Sequence, residues 1–393
     1  MAGAASAAGL AYISHRGLRY PRMTLSPLEP SNAIDHAFVK LLLDGVIETS
    51  QERLFRAIQP EPKISATLLK QEFEFKLNNV APSANLVVQA HGAFGAAFSV
   101  DETVDGITRT VRVKGPTQEK FDLHWQLPQD QEYQFSVIGD SGGGDELRWC
   151  LKRAHELGAQ FMLHLGDFNY AADEYDQAID AFYNAALPSY ITLGNHDFND
   201  SGLVFHRFLE DLGRFNHAFN LVGTQFLNID TAASFFPLSG GQRGRFMSSL
   251  SPSNAPKVAF SHRPFVDIRP GEDHALSSEA ETQWLLEKLH YIKCQHYLCG
   301  HVHKSGESDV SGIRQWTVGE GLGYEDWVAR APVSQLLLGT VAPESEPTFK
   351  FAPLQMPWEY HTSHEHLEKL LVEQPQEVID WYLKKVNDLD IQA

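Results

Sequence analysis

Hydrophobic and polar positions change period twice along the chain. After Ser31, the residues Ile34, Phe38, Leu41, Leu42, Val46 and Leu54 recur at helical spacing as far as Ile58. Ser31 is placed to cap such a segment, and Pro60 and Pro62 to end it, so the pattern predicts a packing helix. From 64 to 127 the period shortens toward two. The runs LLKQEFEFKL, ANLVVQAHG, AAFSV, TRTVRVKG and FDLHWQL are separated by Asn78-Asn79, Pro82, Asp105-Gly106 and Gly115-Pro116. These are strand and turn signals, and they predict a small antiparallel β module.

From Tyr133 strand and helix patterns alternate. YQFSVIG, QFMLHLG, PSYITLG, QFLNID, KVAFS, QHYLCG and RQWTVG read as strands. DELRWCLKRAHELG, DEYDQAIDAFYNAAL and SSEAETQWLLEKLHYIK read as helices between them. Strands separated by helices imply parallel or mixed sheets covered by helices. SQLLLGTV and TFKFAPL close this region as a strand pair, and 361–390 reads as one or two amphipathic helices interrupted near Pro375. The expected organisation is an N-terminal extension over 1–60, helical from about 31, a β module over 61–130, an α/β domain over 131–355 and a helical extension over 356–393.

Composition narrows the partners. The chain has 393 residues, 43% of them hydrophobic, and a formal net charge of -18. That charge argues against a nucleic-acid backbone or an anionic membrane as the main partner. It leaves room for a small phosphorylated substrate, because a bound metal can dominate the local charge. No run reaches the ~20 apolar residues a membrane helix needs. The three cysteines, Cys150, Cys294 and Cys299, form no CxxC; they read as small buried apolar residues in a reducing compartment. The Ala-rich start meets its first positive charge at Arg16, after its apolar part. That order suits a secretory signal poorly, and the expected location is cytoplasmic.

Five of the strand patterns end in polar residues. They are Gly139-Asp140-Ser141-Gly142, Gly166-Asp167-Phe168-Asn169-Tyr170, Gly194-Asn195-His196-Asp197, Ser261-His262 and Gly300-His301-Val302-His303. One such pair marks a turn. Five in succession bring Asp, Asn and His to one end of a sheet, where they repel or go unpaired unless cations join them. Carboxylates and imidazoles suit Fe, Zn and Mn, and no thiolate selects a softer metal.

These blocks, in this order, resemble the calcineurin-like metallophosphoesterases, and within them the purple acid phosphatase branch. The superfamily pattern opens with Asp-x-His, whereas Asp140-Ser141-Gly142 lacks the histidine. The purple branch makes the same change and supplies a tyrosine from a Gly-Asp-x-x-Tyr block, where Tyr170 stands. The resemblance covers roughly 133–325. It implies an α/β four-layer sandwich of mixed sheets flanked by helices, here with the small antiparallel β module and helical terminal additions. It also implies two metal ions, Fe(III) plus Fe(II), Zn(II) or Mn(II). Asp140, Asp167, Tyr170 and His303 hold the first ion by this likeness, and Asp167, Asn195, His262 and His301 the second. The implied reaction is hydrolysis of a phosphate monoester by a metal-activated hydroxide. His196 is implied to hydrogen-bond the phosphate or protonate the leaving oxygen. His274, in RPGEDHAL, is the nearest candidate for a further substrate-touching histidine. Arg263 stands where it reaches either a phosphate or a partner at the rim.

Other readings stay open on the residues alone. One is a phosphodiesterase on the same fold; another is a non-catalytic scaffold, and the terminal helices also leave room for a homodimer. Gly139-Asp140-Ser141-Gly142-Gly143 matches the nucleophile tract of chymotrypsin-like proteases, but Ser141 comes too early and a helix pattern follows it.

Overall fold

A computed structural model describes residues 32–91, 98–170, 174–199, 204–232, 238–269, 271–323, 326 and 333–360. The helices expected over 361–390 lie outside the described residues.

Among the described residues, every regular element of the N-terminal third is a strand. Its elements are β1 (Ala33–Asp35), β2 (Val39–Asp44), β3 (Val46–Glu48), β4 (Leu54–Ala57), β5 (Lys63–Leu68), β6 (Glu72–Asn78), β7 (Asn85–Ala90), β8 (Ser99–Asp105), β9 (Thr108–Lys114) and β10 (Lys120–Gln126). They form two five-stranded sheets, β1-β2-β5-β10-β7 and β3-β4-β6-β9-β8. The helix expected from Ser31 to Ile58 is therefore absent: β1 to β4 occupy that stretch. The helical spacing was a coincidence of short strands. Val39, Leu41 and Leu43 point inward at 0, 5 and 2% exposure, while Leu42 between them is 55% exposed. That is a strand's period of two. Gly45 then turns the chain at φ 65°. Strands from both sides of residue 60 share both sheets.

The remaining elements are β11 (Tyr133–Ile138), α1 (Asp145–Glu156), β12 (Phe161–His164), α2 (Glu174–Tyr183), β13 (Ser189–Ile191), α3 (His196–Asn199), α4 (Val204–Asp211), β14 (His217–Leu221), β15 (Thr224–Asn228), α5 (Gly241–Ser249), β16 (Lys257–Phe260), α6 (Glu279–Tyr291), β17 (His296–Cys299), β18 (Gly306–Val310), β19 (Ile313–Thr317), β20 (Gln335–Val341) and β21 (Thr348–Pro353). One sheet runs β13-β12-β11-β20-β21 and the other β14-β15-β16-β17-β19-β18. Strands β11, β12 and β13 are parallel to one another, as are β15, β16, β17 and β19. Antiparallel strands close the edges.

The two sheets meet through aromatic side chains: Phe135 lies edge-on to Phe226 at 5.4 Å, and Tyr190 lies 5.3 Å from Phe219. Helix α1 buries Leu147, Trp149, Cys150, Leu151 and Ala154, and these join the core of the first sheet. Helix α6 starts at Ser278, whose side chain accepts the Glu281 N–H, as a helix cap does. Its Leu285, Leu286 and Leu289 cover Leu227, Tyr297 and Ile313 of the second sheet. The result is a helix–sheet–sheet–helix sandwich, the fold that the resemblance implied. All three cysteines are buried thiols. One core runs without a break from Val39, Phe55 and Trp125 into Phe135 and Leu336.

Candidate metal centre

Parallel strands put their C-terminal ends on one edge, the place where such sheets bind ligands. All five polar blocks follow strands of this kind: β11, β12, β13, β16 and β17. The chain must leave each strand abruptly to aim its side chain back over the edge. Asp140, Asp167, His301 and His303 do so in the left-handed region, at φ 56, 58, 73 and 53°. That conformation costs an L-residue about 1–2 kcal/mol and gathers at functional sites. Two glycines make room. A Cβ on Gly194 would lie 2.1 Å from Asp167 Oδ1, and one on Gly300 would lie 2.5 Å from Asp140 Oδ2.

Asp167, Asn195, His262 and His301 converge. His262 Nε2 lies 2.8 Å from Asn195 Oδ1, 3.1 Å from His301 Nδ1 and 3.4 Å from Asp167 Oδ2. The other nitrogen of His262 sits 2.8 Å from the Leu165 carbonyl, so Nδ1 donates there and Nε2 faces the cluster. Beside it, Asp140 Oδ1 lies 3.2 Å from His303 Nε2, and Glu320 Oε1 lies 2.7 Å from His303 Nδ1. Glu320 thus orients His303 as the Leu165 carbonyl orients His262. The His301 N–H donates to Asp140 Oδ2 at 2.9 Å and ties the two groups together.

The electrostatics favour cations. Asp140 and Asp167 are buried at 0 and 1% exposure. Burial works against a charge on His262, but Asp167 and Asp140 outweigh it and raise the imidazole to about 9. Burial opposes charge on His303 too, yet Glu320 and Asp140 lift it to about 10. Tyr170 moves well up, first by burial and then by the Asp167, Asp140 and Glu320 carboxylates. Its hydroxyl has no hydrogen-bond partner among the described residues. A buried hydroxyl facing carboxylates is costly unless something positive meets it.

These donors fit metal ions. The ligand atoms of Asp167, His262 and His301 all lie within 4.8 Å of one another. Two imidazoles have their outer nitrogen held by an oxygen acceptor, the arrangement that turns the inner lone pair toward a metal. All of the donors are oxygen or nitrogen, as Fe, Zn and Mn prefer.

The other sequence candidates lie around this cluster. The His196 N–H donates to Asp167 Oδ1 at 2.8 Å, and its ring packs 4.5 Å from the Tyr170 ring. His274 is exposed at the rim, with its ring 6.0 Å from that of His301. Arg263 Nη1 lies 3.0 Å from His301 Nε2. Asp197 accepts the N–H groups of Gly194, Asp167 and Phe168 at 2.7, 3.0 and 2.9 Å and so fastens two blocks together. Glu320 was missed in the sequence. Its signal was a sixth strand end, Gly319-Glu320-Gly321 after β19, with the same apolar-then-polar form.

Residues 122–305, which contain all five blocks, match the calcineurin-like phosphoesterase family. No curated protein matches the chain by sequence. Among solved structures, the chain is similar to a purple acid phosphatase from yellow lupin (Lupinus luteus) seeds, at 12% identity over 75% of this chain and 70% of that one, with a TM-score of 0.43. It is similar to PhoD at 12% identity, 84% and 98% coverage and a TM-score of 0.42. It is also similar to a dimetal phosphatase from Danio rerio at 12% identity, 56% and 96% coverage and a TM-score of 0.40. It is over 122–305 that the chain is similar to the calcineurin-like phosphoesterases.

Proposed function

We propose that the chain is a binuclear-metal phosphoesterase that hydrolyses phosphate monoesters in the manner of a purple acid phosphatase. The observation that carries this reading is the convergence of Asp167, His262 and His301 donor atoms within 4.8 Å, beside the Asp140–His303 pair. Asp140, Asp167, Tyr170 and His303 hold Fe(III) in this proposal. Asp167, Asn195, His262 and His301 hold Fe(II), Zn(II) or Mn(II), with Asp167 common to both sets. When bound, such a pair supplies an activated water and neutralises charge on the phosphoryl oxygens.

The chain's own residues do the rest. Arg263, whose guanidinium stands beside His301, offers donors to a phosphoryl oxygen, and its planar fork matches that group. His196, held over the cluster by its backbone bond to Asp167, gives a proton to the leaving oxygen. His274 at the rim meets the part of the substrate beyond the phosphate. Asp197 and Glu320 keep the block geometry rigid, so that binding energy is not lost to reorganisation.

The test is a paired turnover assay on protein loaded with Fe and Zn or Mn, with metal content measured on the same sample. One arm carries a chromogenic phosphate monoester and the other the matching diester, from acid to neutral pH. We expect two metals per chain and faster monoester turnover. Faster diester turnover would replace the monoesterase assignment. Bound metals without turnover of either ester would remove the enzymatic reading.

A further inference from the structure

A cavity of about 600 Å³ lies where the N-terminal sheets meet the second sheet of the sandwich. The N-terminal wall is the turn Asp44-Gly45, between β2 and β3, together with Ile58 and Gln59 after β4. The opposite wall has two parts. One is Arg214 and the residues leading into β14; the other is one face of α5, which supplies Gln242, Arg245, Phe246 and Ser249. Those four positions follow helical spacing and point the same way.

Two guanidiniums line this cavity, and neither Arg214 nor Arg245 pairs with a carboxylate among the described residues. Over the whole chain 50 acidic residues face 32 basic ones. Arg243, on another face of the same helix, lies 3.8 Å from Asp230, and Arg207 and Arg269 are also paired. Arg214 donates through Nη2 to the Asn32 side chain, while its Nε is buried without a hydrogen-bond partner among the described residues. The lining carboxylate, Asp44, is exposed, so solvent screens it. Ile58, Ala218 and Phe246 give the cavity an apolar side.

We propose that this cavity binds a small organic phosphate, with Arg214 and Arg245 on the phosphate and Phe246 and Ile58 against the apolar remainder. The volume is that of a small-molecule site. Two forked guanidiniums match the several oxygens and near-double charge of a phosphate better than the two oxygens of a carboxylate. No metal-centre residue takes part, so this site is separate from the proposed reaction.

The probe is benzylphosphonate, which a phosphoesterase does not hydrolyse, titrated calorimetrically into the full chain. The metal centre also attracts phosphonates, so the titration is repeated in Asp167→Asn. We expect a binding event that persists in Asp167→Asn. It should weaken roughly tenfold in Arg245→Gln and disappear in the Arg214→Gln/Arg245→Gln double variant. Arg245 is exposed on its helix, so Arg245→Gln should unfold at the wild-type temperature. Phenylacetate, the matching carboxylate, should bind more weakly than benzylphosphonate. Affinity unchanged in Arg245→Gln, no event surviving Asp167→Asn, or phenylacetate binding as tightly would each overturn the proposal.

Discussion

The Arg56 guanidinium on β4 donates to both the carbonyl and the hydroxyl of Ser189, the first residue of β13, at 3.1 and 3.0 Å. Arg56 is fully buried and makes no ion pair with a carboxylate among the described residues. It also donates to Asn78 Oδ1 at 3.0 Å and stacks 5.0 Å from the Tyr183 ring centroid. Asn79 completes the joint by donating to the same Ser189 carbonyl and accepting the Ser189 N–H. The N-terminal sheets are thus fastened to the strand that leads to Asn195 and His196. Removing the guanidinium strands two buried acceptors, the Ser189 hydroxyl and Asn78 Oδ1, each worth roughly 1–3 kcal/mol when left unmade. Arg56→Met should lower stability by roughly 2–4 kcal/mol. Urea unfolding followed by intrinsic fluorescence checks this; an unchanged midpoint would mean that the joint is not a stabilising contact.

Tyr170→Phe separates a packing role from a ligand role. The hydroxyl has no partner among the described residues, so its loss should leave the stability of metal-stripped protein within about 0.5 kcal/mol of wild type. With Tyr170 holding Fe(III) as proposed, phenolate-to-iron charge transfer gives the loaded wild type a visible band, and the loaded variant should lack it. Absorption spectra and thermal melts of both forms read the two effects. A variant that kept its colour would show that another residue supplies the phenolate's place.

Glu320→Gln tests the orientation of His303. The carboxylate holds Nδ1 at 2.7 Å, and losing such a partner typically weakens metal binding by about 10–100-fold. The fold should survive, since the amide fills the same space. Metal titration of the stripped protein, with circular dichroism as control, gives the answer. Wild-type affinity in the variant would remove Glu320 from the site.

Acid should destabilise the protein through half-buried neutral histidines. His217 donates to the Ile58 carbonyl at 3.1 Å and is held at about 4, by burial and then by Arg214. His296 is held at about 4 by burial and then by Arg314. Their folded values lie below the unfolded value near 6.5, so unfolding takes up protons. Stability is full above about pH 6.5 and is lost as pH falls toward 4, by up to roughly 3 kcal/mol per residue. His217→Gln keeps a donor toward Ile58 and removes one titration. Its melting temperature should fall less steeply than wild type between pH 6.5 and 4, and parallel curves would discount His217.

The sequence alone determined the alternation of strand and helix from Tyr133 onward and the polar blocks at the strand ends. Both are local. A strand's apolar run and the turn after it are set by neighbouring residues, and parallel strands then bring Asp140, Asp167, Asn195, His262 and His301 to one edge. The stretch from Ser31 to Ile58 was not legible. Its strands are short, β1 and β3 being three residues each, and sheet partners far along the chain overrode a local spacing that looked helical. Tertiary structure decided the rest. Arg56 meets Ser189 across 133 positions, and the His301 N–H meets Asp140 across 161. Glu320 reaches His303 only because β19 lies beside β17. The Arg214–Arg245 cavity likewise exists only where α5 and the N-terminal sheets converge. No local pattern encodes such pairings, because their free energy comes from burial that exists only once the sheets have packed.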